Sequence, residues 1–158
     1  MSIERVIEIS APVATVWRVW TDVDDWPTWN SAVTQVVRLD GEAPGTPIGP
    51  GSRARLRQPQ LPAAIWEVTE WEPQRRWAWA THQPGATTTG LHVVEDLGDG
   101  RCRVTARATH EGALAGVLRL VAGRLSARLV DREVADLLRR CEGQPPPARP
   151  TSPEGFRH

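Results

Sequence analysis

The chain of 158 residues contains no lysine and no tyrosine, and only one phenylalanine and one methionine. All 19 of its basic residues are therefore arginine. They balance 19 acidic residues, so no net field draws the chain toward nucleic acid or an anionic membrane. The two cysteines, Cys102 and Cys141, match neither a zinc spacing nor a dense disulfide framework, which predicts a reduced cytosolic protein. The opening MSIERVIEIS is broken by Glu4, Arg5 and Glu8, so it lacks the uninterrupted apolar segment of a secretory signal. No apolar run approaches the ~20 residues of a membrane helix. These absences predict a soluble cytoplasmic protein with no stable membrane insertion and no nucleic-acid partner; a monomer or homodimer is the expectation, though no residue pattern sets it. A phosphate-binding glycine loop is missing as well, because the GxG at 98–100 leads into a strand rather than a helix. No metal and no cofactor are expected.

What the chain has instead is tryptophan, eight in all, with four of them inside VWRVWTDVDDWPTWN at residues 16–30. Around this cluster the apolar pattern changes period several times. Residues 2–9 alternate through Ile3, Val6 or Ile7, and Ile9, which predicts a strand. Ser10 is then the expected helix N-cap, with Pro12 in the first turn, and Val13, Val16, Trp17 and Trp20 repeat at helical spacing. Asp22 opens a second short helix that Pro27, between Trp26 and Trp29, should kink or end. Strand-like alternation follows through Val33, Val36, Val37 and Leu39, then a Gly/Pro-rich loop at 41–51, then strands at 52–58, 63–71, 75–83, 86–96 and 101–111. The last two are joined by Leu97-Gly98-Asp99-Gly100, whose glycines can supply the positive φ of a tight turn. From 113 to 141, Leu114, Leu118, Val121, Leu125, Leu129, Val134 and Leu138 mark one amphipathic helix, ~43 Å long. Residues 143–158, with five prolines, predict a disordered tail beyond a domain spanning 1–142.

Three motifs in this order resemble a known superfamily. They are Ala11-Pro12 through Trp26-Pro27-Thr28-Trp29-Asn30, then the Val68 to Trp79 segment VTEWEPQRRWAW, then Gly98 to Thr105, GDGRCRVT. Together they are similar to the START and Bet v 1-like (SRPBCC, helix-grip) proteins, and within them to the polyketide cyclase/dehydrase group. The resemblance implies an α+β fold: a curved antiparallel sheet of about seven strands, with two short helices, wrapped around a long C-terminal helix and enclosing an apolar cavity. The same fold serves carriers, sensors and enzymes, so it does not by itself give an activity.

Strand parity suggests the lining. Arg101, Arg103 and Arg107 want water, which turns Cys102, Val104, Ala106, Ala108 and His110 inward. On the preceding strand the inward set is either Thr88, Gly90, His92 and Val94 or the alternate Thr89, Leu91 and Val93. Trp77 shares a face with Trp79, as Trp66 does with Val68, and both faces read as inward. Trp26, Trp66, Trp77 and Trp79 are thus candidate ligand contacts, with Leu118 and Val121 from the long helix; plain core packing is the competing reading. Trp17 and Trp20 should pack the first helix on the sheet, and Trp29 should anchor the turn. Asp22, Asp24 and Asp25 read as caps or favourable dipole partners at a helix start rather than paired catalytic carboxylates, and Arg53, Arg55 and Arg57 as a solvated strand face.

Cyclising a poly-β-ketone requires a shaped chamber and a base active near neutrality. His92 and His110 are the candidate acid/base residues; each could equally just bond a neighbouring strand. His82 falls near a strand end and His158 in the tail. Aromatic polyketide cyclases of this fold use tyrosine and arginine, and this chain has no tyrosine, so that mechanism does not carry over. The expectation is a hydrophobic small-molecule ligand or substrate, handled by a cyclase/dehydrase-like protein of natural-product biosynthesis. The alternatives are a non-catalytic carrier or sensor, or a scaffold with a collapsed interior.

Overall fold

The computed structural model describes residues 2–43 and 45–143. The expected tail, apart from Gly143, lies outside the described residues. Strand β1 (Ser2–Ile9) leads into helix α1 (Val13–Thr21), a 3-10 turn (Val23–Asp25) and the single-turn helix α2 (Trp26–Trp29). Strands β2 (Gln35–Arg38), β3 (Arg53–Arg57), β4 (Ala64–Glu72), β5 (Arg76–Gln83), β6 (Ala86–Gly98) and β7 (Arg101–Glu111) follow, and helix α3 (Ala115–Cys141) closes the fold. The strands form one seven-stranded antiparallel sheet in the order β1-β7-β6-β5-β4-β3-β2. This is the helix-grip arrangement: one face of the sheet wraps α3, and α1 and α2 fill the remaining end.

The local chemistry explains most boundaries. Asp99 and Gly100 both take positive φ, 56° and 72°, giving the two-residue turn whose twist matches the strands it joins. Gly112, at φ 109°, turns β7 into α3 where an added Cβ would stand 2.6 Å from the Gly85 carbonyl oxygen, so only glycine fits. Two expectations at the first helix are corrected. Pro12, not Ser10, occupies the N-cap of α1, and no side chain caps it; the Ser10 N–H instead donates to Glu142 at 2.9 Å. Pro27 starts α2 rather than ending a helix, because in a first turn its missing N–H has no intrahelical partner to lose.

Asp24 and Asp25 sit in the first turn of the 3-10 helix, where a negative charge suits the helix dipole, but no aspartate side chain caps it. Asp24 accepts from Arg38 at 3.2 Å and from the Gly45 N–H at 3.0 Å, while Asp25 pairs with Arg140 at 3.2 Å. Arg38 also reaches Asp40 at 2.6 Å and the Thr46 carbonyl at 2.5 Å, with its side chain only 6% exposed. One buried guanidinium therefore ties β2 to the turn after α1 and to the 40–51 loop. Arg38 in turn holds the Asp40 carboxyl below the usual range through its hydrogen bond. Asp136 on α3, itself buried, accepts from both the N–H and the hydroxyl of Ser31, at 2.8 and 2.6 Å, and so docks the α2–β2 link.

Arg53, Arg55 and Arg57 form an exposed strand face, as their alternation predicts. Both cysteines are free thiols, and burial pushes Cys141 up to about 12. Arg38→Met should destabilise the protein by roughly 3 kcal/mol, because it strands two carboxylates in a dry site. Arg101→Ala, which removes an exposed pair with Glu8, should change stability by less than about 1 kcal/mol. Urea denaturation of the two variants measures the contrast.

Candidate functional site

Between the sheet and α3 lies a cavity of about 140 Å³. It arises because β5 and β4 carry large flat residues where β6 and β7 carry small ones. Gly90 pairs with Trp79 on one side and Ala108 on the other, and His92 pairs with Ala106. A Cβ at Gly90 would sit 3.3 Å from the Trp79 ring, so glycine lets that indole lie flat against the strand. Trp26, Trp66 and Trp79 form the aromatic wall: Trp79 stands 5.3 Å from Trp26 and 5.6 Å from Trp66, centroid to centroid. Leu118, Leu129 and Val130 of α3 face them. Exposed Pro62 and Gln83 also border the space, so it reaches the surface.

Of the expected contacts, Trp26, Trp66, Trp79 and Leu118 line the cavity, as do His92 and His110. Trp77 and Val121 are corrections. Trp77 is fully buried behind His92, its ring stacked on the imidazole at 3.8 Å and 9°, so it supports the lining without forming it. Val121 is 80% exposed, on the side of α3 away from the cavity, because the lining follows Leu118, Ala122, Ser126 and Leu129 around the helix. On β6 the set Thr88, Gly90 and His92 reaches the cavity, joined by Leu91 from the alternate set. Trp17 packs edge-on against Trp71 at 5.2 Å, and Trp29 is partly buried beside Trp26.

The two histidines lie on the same face of the sheet but far apart. His92 is level with Ala106 and His110 with Thr88, a separation of four residues along each strand, or ~13 Å. His110 shares a hydrogen bond with the Thr88 hydroxyl at 2.9 Å, and burial holds its imidazole below the ordinary value. His92 lies at the other end, 3% exposed, with Nδ1 3.3 Å from the Trp77 carbonyl oxygen and its ring perpendicular to that of Trp20, centroids 4.8 Å apart. Its Nε2 is 3.4 Å from Oε1 of Glu133, a carboxylate on α3 that also accepts the Trp20 indole N–H at 2.8 Å. Sequence reasoning missed Glu133, which sits in the charged run Asp131-Arg132-Glu133. The four-residue steps from Leu125 through Leu129 to Glu133 and Leu137 put it on the inner stripe, and that spacing was the available signal. His82 is exposed and bonded to Thr87, outside the cavity.

Burial, reinforced by Asp25 and Asp24, raises the Asp22 carboxyl above its usual range, and its Oδ1 is sealed without a partner among the described residues. Asp22 is not part of the cavity lining. The Trp66 indole N–H, on the cavity wall, likewise has no acceptor among the described residues. No helix of the described residues is long and apolar enough to cross a membrane.

Similar architectures occur in solved structures. A hypothetical protein from Helicobacter pylori superposes with a TM-score of 0.73 at 16% identity, over 89% of this chain and 86% of that one. A protein from Thermus thermophilus gives 0.70 at 19% identity, over 90% and 98%. A START superfamily protein from Mycobacterium smegmatis gives 0.64 at 18%, over 90% and 94%. At these identities the likeness concerns the fold. No curated protein matches the sequence. The sequence profile described as "Polyketide cyclase / dehydrase and lipid transport" matches residues 1–143.

Gly90→Val should push Trp79 into the cavity and fill the remaining gap, weakening binding of any guest at least tenfold while costing about 1–3 kcal/mol of stability. Ligand titration beside urea denaturation separates the two effects. His110 gives a pH signature. Its native value is depressed, so the unfolded chain binds a proton first as pH falls below about 6.5. The stability this group contributes is complete above that pH and is lost as pH drops through the lower native value, at up to about 1.4 kcal/mol per pH unit. Urea midpoints at pH 7 and pH 5 should therefore converge in His110→Gln relative to the wild type.

Proposed function

The chain belongs to the polyketide cyclase/dehydrase and lipid transport family, and from that premise we propose that it binds a hydrophobic small molecule in the tryptophan-walled cavity and acts on it as a cyclase/dehydrase. The observation that carries this reading is an ionisable pair, His92 and Glu133, beside the tryptophan wall of a chamber whose lining is mainly apolar but also includes Thr88, Arg107, His110 and Ser126. The chamber's volume is close to that of cavities that accept a single benzene ring. A planar ring, or a chain folding toward one, can lie between Trp26, Trp66 and Trp79 with the rest of the molecule directed to the opening.

Such a site supplies two things that ring closure with loss of water requires. The walls restrict a flexible chain to a few folded conformations, which lowers the entropic part of the barrier. His92 and its partner move protons between a carbon acid and a departing hydroxyl, a contribution of about 10² to 10⁴ in rate. His110, held neutral by burial and bonded to Thr88, is placed to orient the outer part of the ligand. We place this activity in the cytoplasm, in natural-product biosynthesis.

Incubation with a short poly-β-keto thioester, followed by mass spectrometry of the products, tests the reading. The wild type should yield a cyclised, dehydrated product faster than buffer does, and His92→Gln should lower that rate by at least about tenfold with binding retained. A bound thioester recovered chemically unchanged from wild type would instead make the protein a carrier. Rates equal in wild type and His92→Gln would remove His92 from the chemistry.

A further inference from the structure

Both nitrogens of His92 face acceptors. Nδ1 is 3.3 Å from the Trp77 carbonyl oxygen and Nε2 is 3.4 Å from Glu133 Oε1. Oε1 is committed to the protein, because it also accepts the Trp20 N–H at 2.8 Å.

The second oxygen, Oε2, is different. It has no hydrogen-bond partner among the described residues, it is not among the sealed polar atoms, and its residue lines the cavity. As the second oxygen of a carboxylate, Oε2 accepts hydrogen bonds and donates none. Resting on the reading that the cavity holds a hydrophobic ligand, we propose that Glu133 Oε2 is the atom that selects it, taking a small ring-sized guest that presents a donor: a phenolic or enolic hydroxyl, or an acidic C–H flanked by carbonyls.

The same oxygen gives Glu133 a balanced catalytic step. A proton leaves the carbon between two carbonyls for Oε2, and its bonding pair stays behind as the enolate. When the β C–O bond breaks, the enolate pair forms the C=C bond and Glu133 returns the proton to the departing hydroxyl. Water leaves and the pair is as it began.

Glu133→Gln keeps the shape and reverses the polarity. The Trp20 N–H, the closer of the two neighbours, holds the amide oxygen in the Oε1 position and so places the NH₂ where Oε2 was. Phenol, benzaldehyde and toluene are probes of similar size that offer a donor, an acceptor and neither. NMR titration of the tryptophan indole N–H signals should rank phenol about tenfold ahead of toluene in the wild type. In Glu133→Gln, benzaldehyde should overtake phenol. An unchanged ranking in the variant, with all probes still bound, would overturn the role of Glu133 and leave the cavity reading standing. Failure of all three to bind wild type would overturn both. Should Glu133→Gln not fold, anisole decides the matter on the wild type: it keeps phenol's ring but has no donor and should bind about tenfold more weakly than phenol, and equal binding of the two overturns the proposal.

Discussion

The hydrogen bond from the Trp20 indole to Glu133 fixes how three elements of the fold meet. A carboxylate carried inward on a helix is costly unless every committed lone pair finds a donor. The indole is such a donor, and it reaches Glu133 only if α1 crosses α3 at the level of β6. His92 then has one available place, with its face on Trp77 and its edge region against Trp20. Trp26 follows, because its own N–H donates to the Trp20 carbonyl at 3.1 Å. A single polar contact thus sets the aromatic wall as well as the ionisable end of the cavity.

That wall explains the concentration of tryptophan near the N-terminus. Trp17 and Trp20 occupy one side of α1, and Trp26 and Trp29 occupy the single turn after it, so two short elements cover a wide end of the sheet. Smaller apolar residues there would leave the sheet's end open to water. Where β5 presents Trp77 and Trp79, β6 and β7 answer with Gly90, Ala106 and Ala108. Trp77 meets no such gap, because its cross-strand partner is His92, on whose ring it stacks. Where no side chain answers, beside Trp79 and Trp66, the cavity remains. Packing of native density elsewhere keeps it from collapsing, because its walls are held by neighbours that cannot move inward without opening gaps behind them.

The fold was legible because period-two alternation, the Gly98 to Gly100 turn and the long amphipathic stretch are set locally. The site was legible only where strand parity reaches. Parity put His110, Trp66 and Trp79 inward and left His92 in one of two alternative sets, and it cannot say which residue on a face lies in front. Trp77 obeys the same alternation as Trp79 and ends up behind an imidazole, a matter of depth rather than of face. On α3 the apolar rhythm is loose enough to admit two stripes, and Val121 belongs to the exposed one. The Ser10 cap failed for a related reason: a serine before Ala-Pro satisfies the local rule, whereas the chain directs that position's N–H to Glu142, 132 residues later. Asp24 and Arg38 show the same limit, since a cap and a buried ion pair look alike until a third element is seen to cover them.

The ionisable pair also bears on the choice between vessel and catalyst. Replacing buried polar groups by well-packed apolar residues is often neutral or stabilising, so a container with no need to recognise a polar group on its guest could carry leucine at both positions. A leucine pair would also enlarge the apolar surface offered to the guest. Holding His92 and Glu133 in the cavity instead costs desolvation and needs Trp20 and the Trp77 carbonyl to offset it. Those four groups come from α1, β5, β6 and α3, so the constraint is spread across the whole fold. A polar inner end of this kind serves the recognition of a guest that presents a donor, and under the proposed activity it serves proton transfer as well.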